Sequence, residues 1–309
     1  MSMVVFSSQR PIGRAENITA LYNAYQGEKK FIQLDWWRHS PEIAGADLMV
    51  TDEIPAESPG KVIFIQHGMT GSKYYGLDQP RAYATREQTS LITYAITQSE
   101  ASISLMAKQL ALPENRILAL GMPRTDQYYG AHKGDGRTGY ADKIVYLYAP
   151  TYRQRQEEAS VSVDFDALDM MLSDDEVLLV KPHMLTPRII SGYYRHIMEV
   201  SNKEPSTPYL MDCDALITDY SSIMFDAYVM RRPVVLFSKD NGYLKSRGMY
   251  YRYPSDYSGY FADNERDLIK TARAALWSDD DDKRREFFAS KCDGHSIERI
   301  IKLIDEVKK

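Results

Sequence analysis

The chain has 309 residues, 44% of them hydrophobic and 26% charged, which supplies core for one large or two ordinary domains and excludes a disordered chain. A formal net charge of -5 argues against nucleic-acid binding through phosphate neutralisation, so an anionic ligand needs a focused basic site. The two cysteines, Cys213 and Cys292, stand far apart and offer neither a disulfide framework nor metal-ligand spacing, as expected in a reducing cytosol.

In chain order, "MVVFSS" at 3–8 reads as a first strand rather than a signal peptide, because its apolar patch has no basic leader or cleavage site. The strand, loop, helix pattern then repeats: "ENITALYNAYQ" predicts a helix, and "KKFIQLDWW", "ADLMVTD" and "KVIFIQHG" predict strands. "SEASISLMAKQLAL" predicts a helix, and "RILALGMPRTD" a further strand and turn. The glycine-rich, charged segment 128–143, "YYGAHKGDGRTGYADK", reads as an interdomain linker. After it, "IVYLYAPTYR", "EVLLVKPH", "DALITDYSS" and "RPVVLFSKD" predict four strands, each ending in polar or basic residues. The closing "HSIERIIKLIDEVKK" carries Ile297, Ile300, Ile301, Ile304 and Val307 at helical spacing and predicts a terminal helix docked on the fold. No stretch approaches the roughly 20 apolar residues of a bilayer span, so any membrane contact is expected to be peripheral.

Strands alternating with helices predict α/β architecture with two parallel sheets, divided as 1–142 and 143–309, and ligands gathering at the carboxyl ends of the strands. At those ends stand His67, after "VIFIQ" and before Gly68, and His183, after "EVLLVKP". A histidine so placed can move a proton or donate to a phosphate oxygen. His39, His132, His196 and His295 lack that placement and read as surface or packing residues. Lys181, Thr151, Arg153 and Arg247 suit a diphosphate, arginine by two parallel hydrogen bonds and lysine as a point charge. In "ITDYSSIMFDA" a short strand runs into Asp219, Ser221 and Ser222 and then a helix. Unpaired N–H groups at such a helix start can hold a phosphate, and Ser221 can equally be a helix cap. A Walker-type lysine loop, HExxH, a Cys/His cluster and GxSxG are all missing, which counts against an ATPase, a catalytic zinc and a serine hydrolase of the usual strand-turn-helix type.

Taken in order, "QHG", "GMPRTD", "YAPTYR", "VKPH", "ITDYSSIMFDA", "SRGMYYRY" and the closing "DGHSIERI" resemble the CDP-glycerol glycerophosphotransferase family, which includes teichoic-acid primases, polymerases and capsule relatives. The resemblance implies a GT-B architecture, two Rossmann-like domains facing across a cleft, the C-terminal one holding the nucleotide. It implies His67 as catalytic base and His183 as acid or phosphate partner. Ser221 and Ser222, with Thr151, Arg153, Lys181 and Arg247, would hold the diphosphate, while Asp219 and Asp226 would position neighbouring groups or the ribose. The implied reaction moves a polyol phosphate, glycerol phosphate first, from a CDP-linked donor to a hydroxyl of a lipid-linked or polymer acceptor, releasing CMP. The implied setting is the cytoplasm, peripherally at the inner face of the membrane. No cofactor is required, and Mg²⁺ is compatible with the diphosphate. The chain departs from the family with Gln66 where many relatives have tryptophan and Met184 where proline is common, which bears on the acceptor and the polyol. Two rival readings stay open: a GT-B glycosyltransferase using a nucleotide sugar, and a non-catalytic nucleotide-binding protein of an envelope pathway.

Overall fold

In a computed structural model of the chain, every residue is described except 1–2, 35–39, 79–83, 141, 154–162, 240–242, 246–247, 258–259 and 278–280. The chain forms two compact units, Met1–Tyr129 with Glu286–Lys309, and Gly130–Arg285.

The first unit is built on β1 (Val4–Ser8), β2 (Lys29–Gln33), β3 (Leu48–Thr51), β4 (Val62–Ile65), β5 (Tyr94–Thr97) and β6 (Ile117–Ala119). They pair in parallel in the order β2-β1-β3-β4-β5-β6. Parallel sheets bury both faces, which is why β1, β3 and β4 are continuous apolar or small-residue runs with every residue buried. Helices α1 (Glu16–Ala24), α2 (Pro41–Ala44), α3 (Arg86–Ser90) and α4 (Ile103–Leu110) connect them. A core of Phe64, Ile92, Met106, Leu110 and Ile117 packs α4 against the sheet, and Val5, Ile43, Met49 and Val62 form another. Because β2 lies on one side of β1 and β3 on the other, the strand order reverses between β1 and β3.

The second unit contains β7 (Ile144–Tyr148), β8 (Glu176–Val180), β9 (Ile197–Glu199), β10 (Ala215–Thr218), β11 (Val234–Phe237) and β12 (Tyr260–Ala262). These are parallel in the order β12-β11-β10-β7-β8-β9. Its connections include α5 (Phe165–Met171), α6 (Thr207–Asp212), α7 (Ile223–Val229) and α8 (Glu265–Ala275). Tyr146, Leu178, Ile217, Val235, Leu268 and Ile269 are among the core residues between helices and sheet. Here the order reverses between β7 and β10.

Two boundaries differ from the sequence expectation. The segment 128–143 is no free linker: from Gly130 it belongs to the second unit, and Asp212 accepts hydrogen bonds from the backbone N–H groups of Gly134, Gly136 and Thr138 at 2.8–2.9 Å and from the Thr138 hydroxyl at 2.6 Å. The unit boundary therefore lies at Tyr129/Gly130 rather than at 142/143.

The C-terminal segment also belongs to the first unit, not the second, the chain returning within α9 (Asp281–Ala289) to α10 (Ser296–Val307). Asp126 accepts from the N–H groups of Ser296 and Ile297 at 3.1 and 2.7 Å, capping α10 where its dipole favours a carboxylate. Arg299 donates to the Leu120 carbonyl at 2.9 Å and to both Asp293 oxygens. Gly121, at φ +91°, admits this approach, since a Cβ there would lie 2.2 Å from the Lys291 carbonyl oxygen. "GMPRTD" and "DGHSIERI" are thus two halves of one structural tie.

Candidate active site

In the second unit, the loops after β7 and β10 flank the point where the strand order reverses, the place where open α/β sheets bind ligands. Asp219 joins them. Its Oδ1 accepts from the N–H of Thr151 at 2.8 Å and of Tyr220 at 2.6 Å, and its Oδ2 meets Arg153 Nη2 at 2.6 Å. The ion pair is largely dehydrated, its side chains 12% and 5% exposed. Arg153 also donates to the Thr151 carbonyl at 2.9 Å, and its guanidinium lies 4.3 Å from the Tyr243 ring centroid and 5.4 Å from that of Tyr220. Those two rings stack at 5.2 Å and 6°. The geometry thus gives Arg153 work in fixing the loop, beyond the phosphate grip expected of it.

Three groups here lack the partners their chemistry calls for. Lys181, at the end of β8, is 4% exposed, and among the described residues its ammonium has one hydrogen bond, to the Pro182 carbonyl at 3.3 Å, and no ion pair. Burial pushes its pKa down from the ordinary lysine value, while the charge of Glu204 works in the opposite direction. Among the described residues Thr151 Oγ1, which is buried, has no hydrogen-bond partner. Ser222, at the start of α7, makes no side-chain cap bond, and Ser221 Oγ accepts only a long one, 3.4 Å, from the Ile223 N–H. Ser221 is therefore at most a weak cap, and the Ser222 hydroxyl is not spent on the helix.

His183 is exposed and stacks on Tyr152, ring centroids 5.3 Å apart. Its Nδ1 accepts from the Leu185 N–H at 3.2 Å, so in the neutral ring the proton sits on Nε2, which is then a donor suited to an oxyanion. Asp226 is buried in α7. Arg247 lies outside the described residues, as does His39. Of the other histidines, His196 sits between Asp169 and Asp174, and His132 and His295 are exposed.

In the first unit His67 is exposed directly beyond β4, and its backbone is clamped. Arg124, from the turn Pro123–Gln127, donates to the His67 carbonyl at 2.5 Å, and Asn17 donates to the Gln66 carbonyl at 3.3 Å while accepting from the Arg124 N–H at 3.1 Å. Asn17 and Arg124 were not among the expected site residues. The "PRTD" motif was the signal for Arg124, since a buried arginine in a conspicuous turn needs acceptors. Among the described residues no group of three His, Cys, Asp or Glu side chains is placed to hold a metal ion.

The CDP-Glycerol:Poly(glycerophosphate) glycerophosphotransferase family matches residues 15–306. The chain belongs to this family. The teichoic acid glycerol-phosphate transferase of Staphylococcus aureus (strain NCTC 8325 / PS 47) is 28% identical over 235 residues, 68% of this chain and 60% of that protein. The teichoic acid poly(glycerol phosphate) polymerase of Staphylococcus epidermidis (strain ATCC 35984) is 33% identical over 190 residues, 56% of this chain and 26% of that protein. The chain thus spans less than two thirds of the length of each of these relatives. Among solved structures, a histidine-to-alanine variant of the wall teichoic acid polymerase TagF shares the fold with a TM-score of 0.78 at 23% identity, over 99% of this chain and 89% of that one. A histidine-to-asparagine variant of TagF, solved after a 15 minute soak with CDPG, gives 0.74 at 22% identity over the same shares. The expected fold class, two Rossmann-like α/β domains of GT-B type, is the one the chain has.

Proposed function

We propose that this protein transfers a polyol phosphate, glycerol phosphate, from a CDP-activated donor to a hydroxyl of an envelope-polymer acceptor, releasing CMP. The observation that carries the reading is the buried Lys181 ammonium, which has no acidic partner among the described residues, at a strand end of a chain matched over residues 15–306 by the glycerophosphotransferase family. A buried cation of this kind is stabilised by an anion, and the Thr151 and Ser222 hydroxyls around the same sheet edge add donors for a diphosphate. The solution of TagF with CDPG supports a CDP-linked donor.

In this mechanism the acceptor hydroxyl attacks the phosphorus nearer the polyol, and the bond to the CMP phosphate oxygen breaks. His67 takes the hydroxyl proton. His183, donating through Nε2, and Lys181 balance the charge that grows on the leaving CMP, with Ser221 and Ser222 holding the diphosphate. Asp219 and Arg153 hold the two loops in register, and Asp226 and Arg247 complete the donor side. Mg²⁺ is compatible with the diphosphate and is not required by any residue named here. The acceptor is a lipid-linked or polymeric hydroxyl, and the reaction takes place on the cytoplasmic side of the membrane. Contact with such an acceptor is peripheral in this reading; among the described residues no helix is long and apolar enough to cross a bilayer.

A donor screen with CDP-glycerol, CDP-ribitol and UDP-sugars, read by nucleotide release and product mass, tests the reading. CMP release from CDP-glycerol is expected; release of a nucleoside diphosphate with sugar transfer would replace this reading with glycosyl transfer. His67→Ala is expected to lower turnover by roughly 10²-fold or more while sparing donor affinity, and His183→Ala to impair both. Near-normal turnover in His67→Ala would place the base elsewhere.

A further inference from the structure

His67 is exposed, yet its neighbours Gln66 and Gly68 to Thr70 are buried. Buried backbone beyond the end of a strand must find partners for its polar groups, and here side chains supply them. On one side Arg124 holds the His67 carbonyl and Asn17 the Gln66 carbonyl. On the other, Gln98 grips both backbone groups of Thr70: its Oε1 accepts from the Thr70 N–H at 3.1 Å, and its Nε2 donates to the Thr70 carbonyl at 2.6 Å. Gln98 stands directly after β5, which pairs with β4 through Ile65 and Ile96. It is fully buried, and its amide is fixed by hydrogen bonds with the hydroxyls of Thr97 and Ser102, each at 3.1 Å. Both arms rest on the returning C-terminal segment. The Gln98 carbonyl accepts from the Lys291 N–H at 3.0 Å. Asp126, two residues from Arg124 in the turn Pro123–Gln127, accepts from the N–H groups of Ser296 and Ile297, and Arg299 donates to the Leu120 carbonyl ahead of that turn.

We infer that Arg124 and Gln98 are positioning residues for His67, and that the C-terminal segment 291–299 is the buttress that fixes them, so that docking α10 serves turnover as well as stability. The inference rests on the role of base proposed for His67 and adds the groups that set where its ring stands. A base must come within hydrogen-bond reach of the proton it takes, and a misplacement of about 1 Å costs about 10²-fold in rate. A side chain carried beyond a strand end holds such a position only if its backbone is fixed by groups that are themselves held. Here the carbonyls of Gln66, His67 and Thr70 and the N–H of Thr70 are all tied, which leaves the imidazole its own side-chain rotations. If these bonds served the fold alone, breaking them would lower stability and leave the turnover of the folded enzyme unchanged.

The test is steady-state CMP release from CDP-glycerol by the full chain, at a temperature where every variant is folded, with amide exchange followed over residues 66–70. Arg124→Lys keeps the charge and gives up the forked guanidinium; it is expected to lower kcat about tenfold or more, leave KM for CDP-glycerol unchanged and speed exchange at 68–70. Asp126→Asn, at a half-buried position, loosens only the α10 cap and is expected to shift kcat and exchange the same way by less; it carries the test if Arg124→Lys does not fold. Ile304→Val removes one buried methyl group from α10 and none of these hydrogen bonds, and is expected to lower the unfolding temperature without changing kcat. In a His67→Ala background, Arg124→Lys is expected to cause no further loss, because it acts through that ring. A wild-type kcat in both the Arg124 and Asp126 variants, or an equal loss with and without His67, overturns the inference and leaves the transfer reaction standing. If the wild type releases no CMP, the transfer reaction falls and exchange decides alone: faster exchange over 66–70 in these two variants but not in Ile304→Val supports the positioning, and unchanged exchange overturns it.

Discussion

The Asp219–Arg153 pair gives a prediction whose size follows from its geometry. Asp219→Asn keeps an oxygen for the Thr151 and Tyr220 N–H groups but turns an amide toward the guanidinium that now sits 2.6 Å from Oδ2. With side chains only 12% and 5% exposed, the pair is close to the buried limit, where removing one partner costs about 3–5 kcal/mol. The retained N–H bonds bring the expected loss for Asn nearer to 3 kcal/mol. Arg153→Gln leaves Asp219 with two backbone donors and gives up the contact with the Tyr243 ring, for about 1–2 kcal/mol. In the double variant an amide faces an amide, so the losses overlap, and the coupling is expected to be about 2 kcal/mol. Urea unfolding of the four proteins at a common slope measures this, with donor titration alongside, because both loops end at the proposed donor site. Single effects that add to within about 0.5 kcal/mol would refute the clamp.

Three further outcomes are expected. The Glu53 pKa is raised from 4.5 to about 7, first by burial and then by the charge of Asp52, with Arg10 opposing. Folding therefore binds its proton more tightly, and stability falls as pH rises from about 4.5 through 7; Glu53→Gln should flatten that fall and stabilise the protein by about 2 kcal/mol at pH 8, after allowance for partial exposure, and an unchanged pH profile of thermal unfolding would contradict it. Asp126→Ala should cost about 2 kcal/mol and raise amide exchange over α10, since it removes two charge-assisted caps; protection equal to wild type in 296–301 would contradict that. Ser221→Ala with Ser222→Ala should weaken CDP-glycerol binding by about 1 kcal/mol or more without unfolding, as read by calorimetric titration, and unchanged affinity would remove this segment from the donor site.

The strands that carry the expected site residues were legible because each is an apolar run bounded by polar residues: β4 before His67, β7 before Thr151, β8 before Lys181, β10 before Asp219. Strands β5, β9 and β12 were not, for physical reasons. β5 is four residues, "YAIT", between threonine and glutamine, and β9 and β12 have three residues each at the sheet edges, so pairing with a neighbour, not local pattern, makes them strands. The amphipathic pattern of α10 requires a partner surface and does not say which, and the bonds that decide it span 170 and 171 residues of sequence. The Asp212 anchor of the glycine-rich segment is hidden in the same way, 74–78 residues from its donors.

The central claim is that the bond broken in the donor is the one between the two phosphates, and phosphorus NMR of the purified chain with CDP-glycerol and a polyol-phosphate acceptor observes that bond directly. The account predicts CMP and a new phosphodiester growing in equal amounts, both lost in His67→Ala. Accumulation of CDP, or an intact diphosphate after prolonged incubation with acceptor, would contradict it.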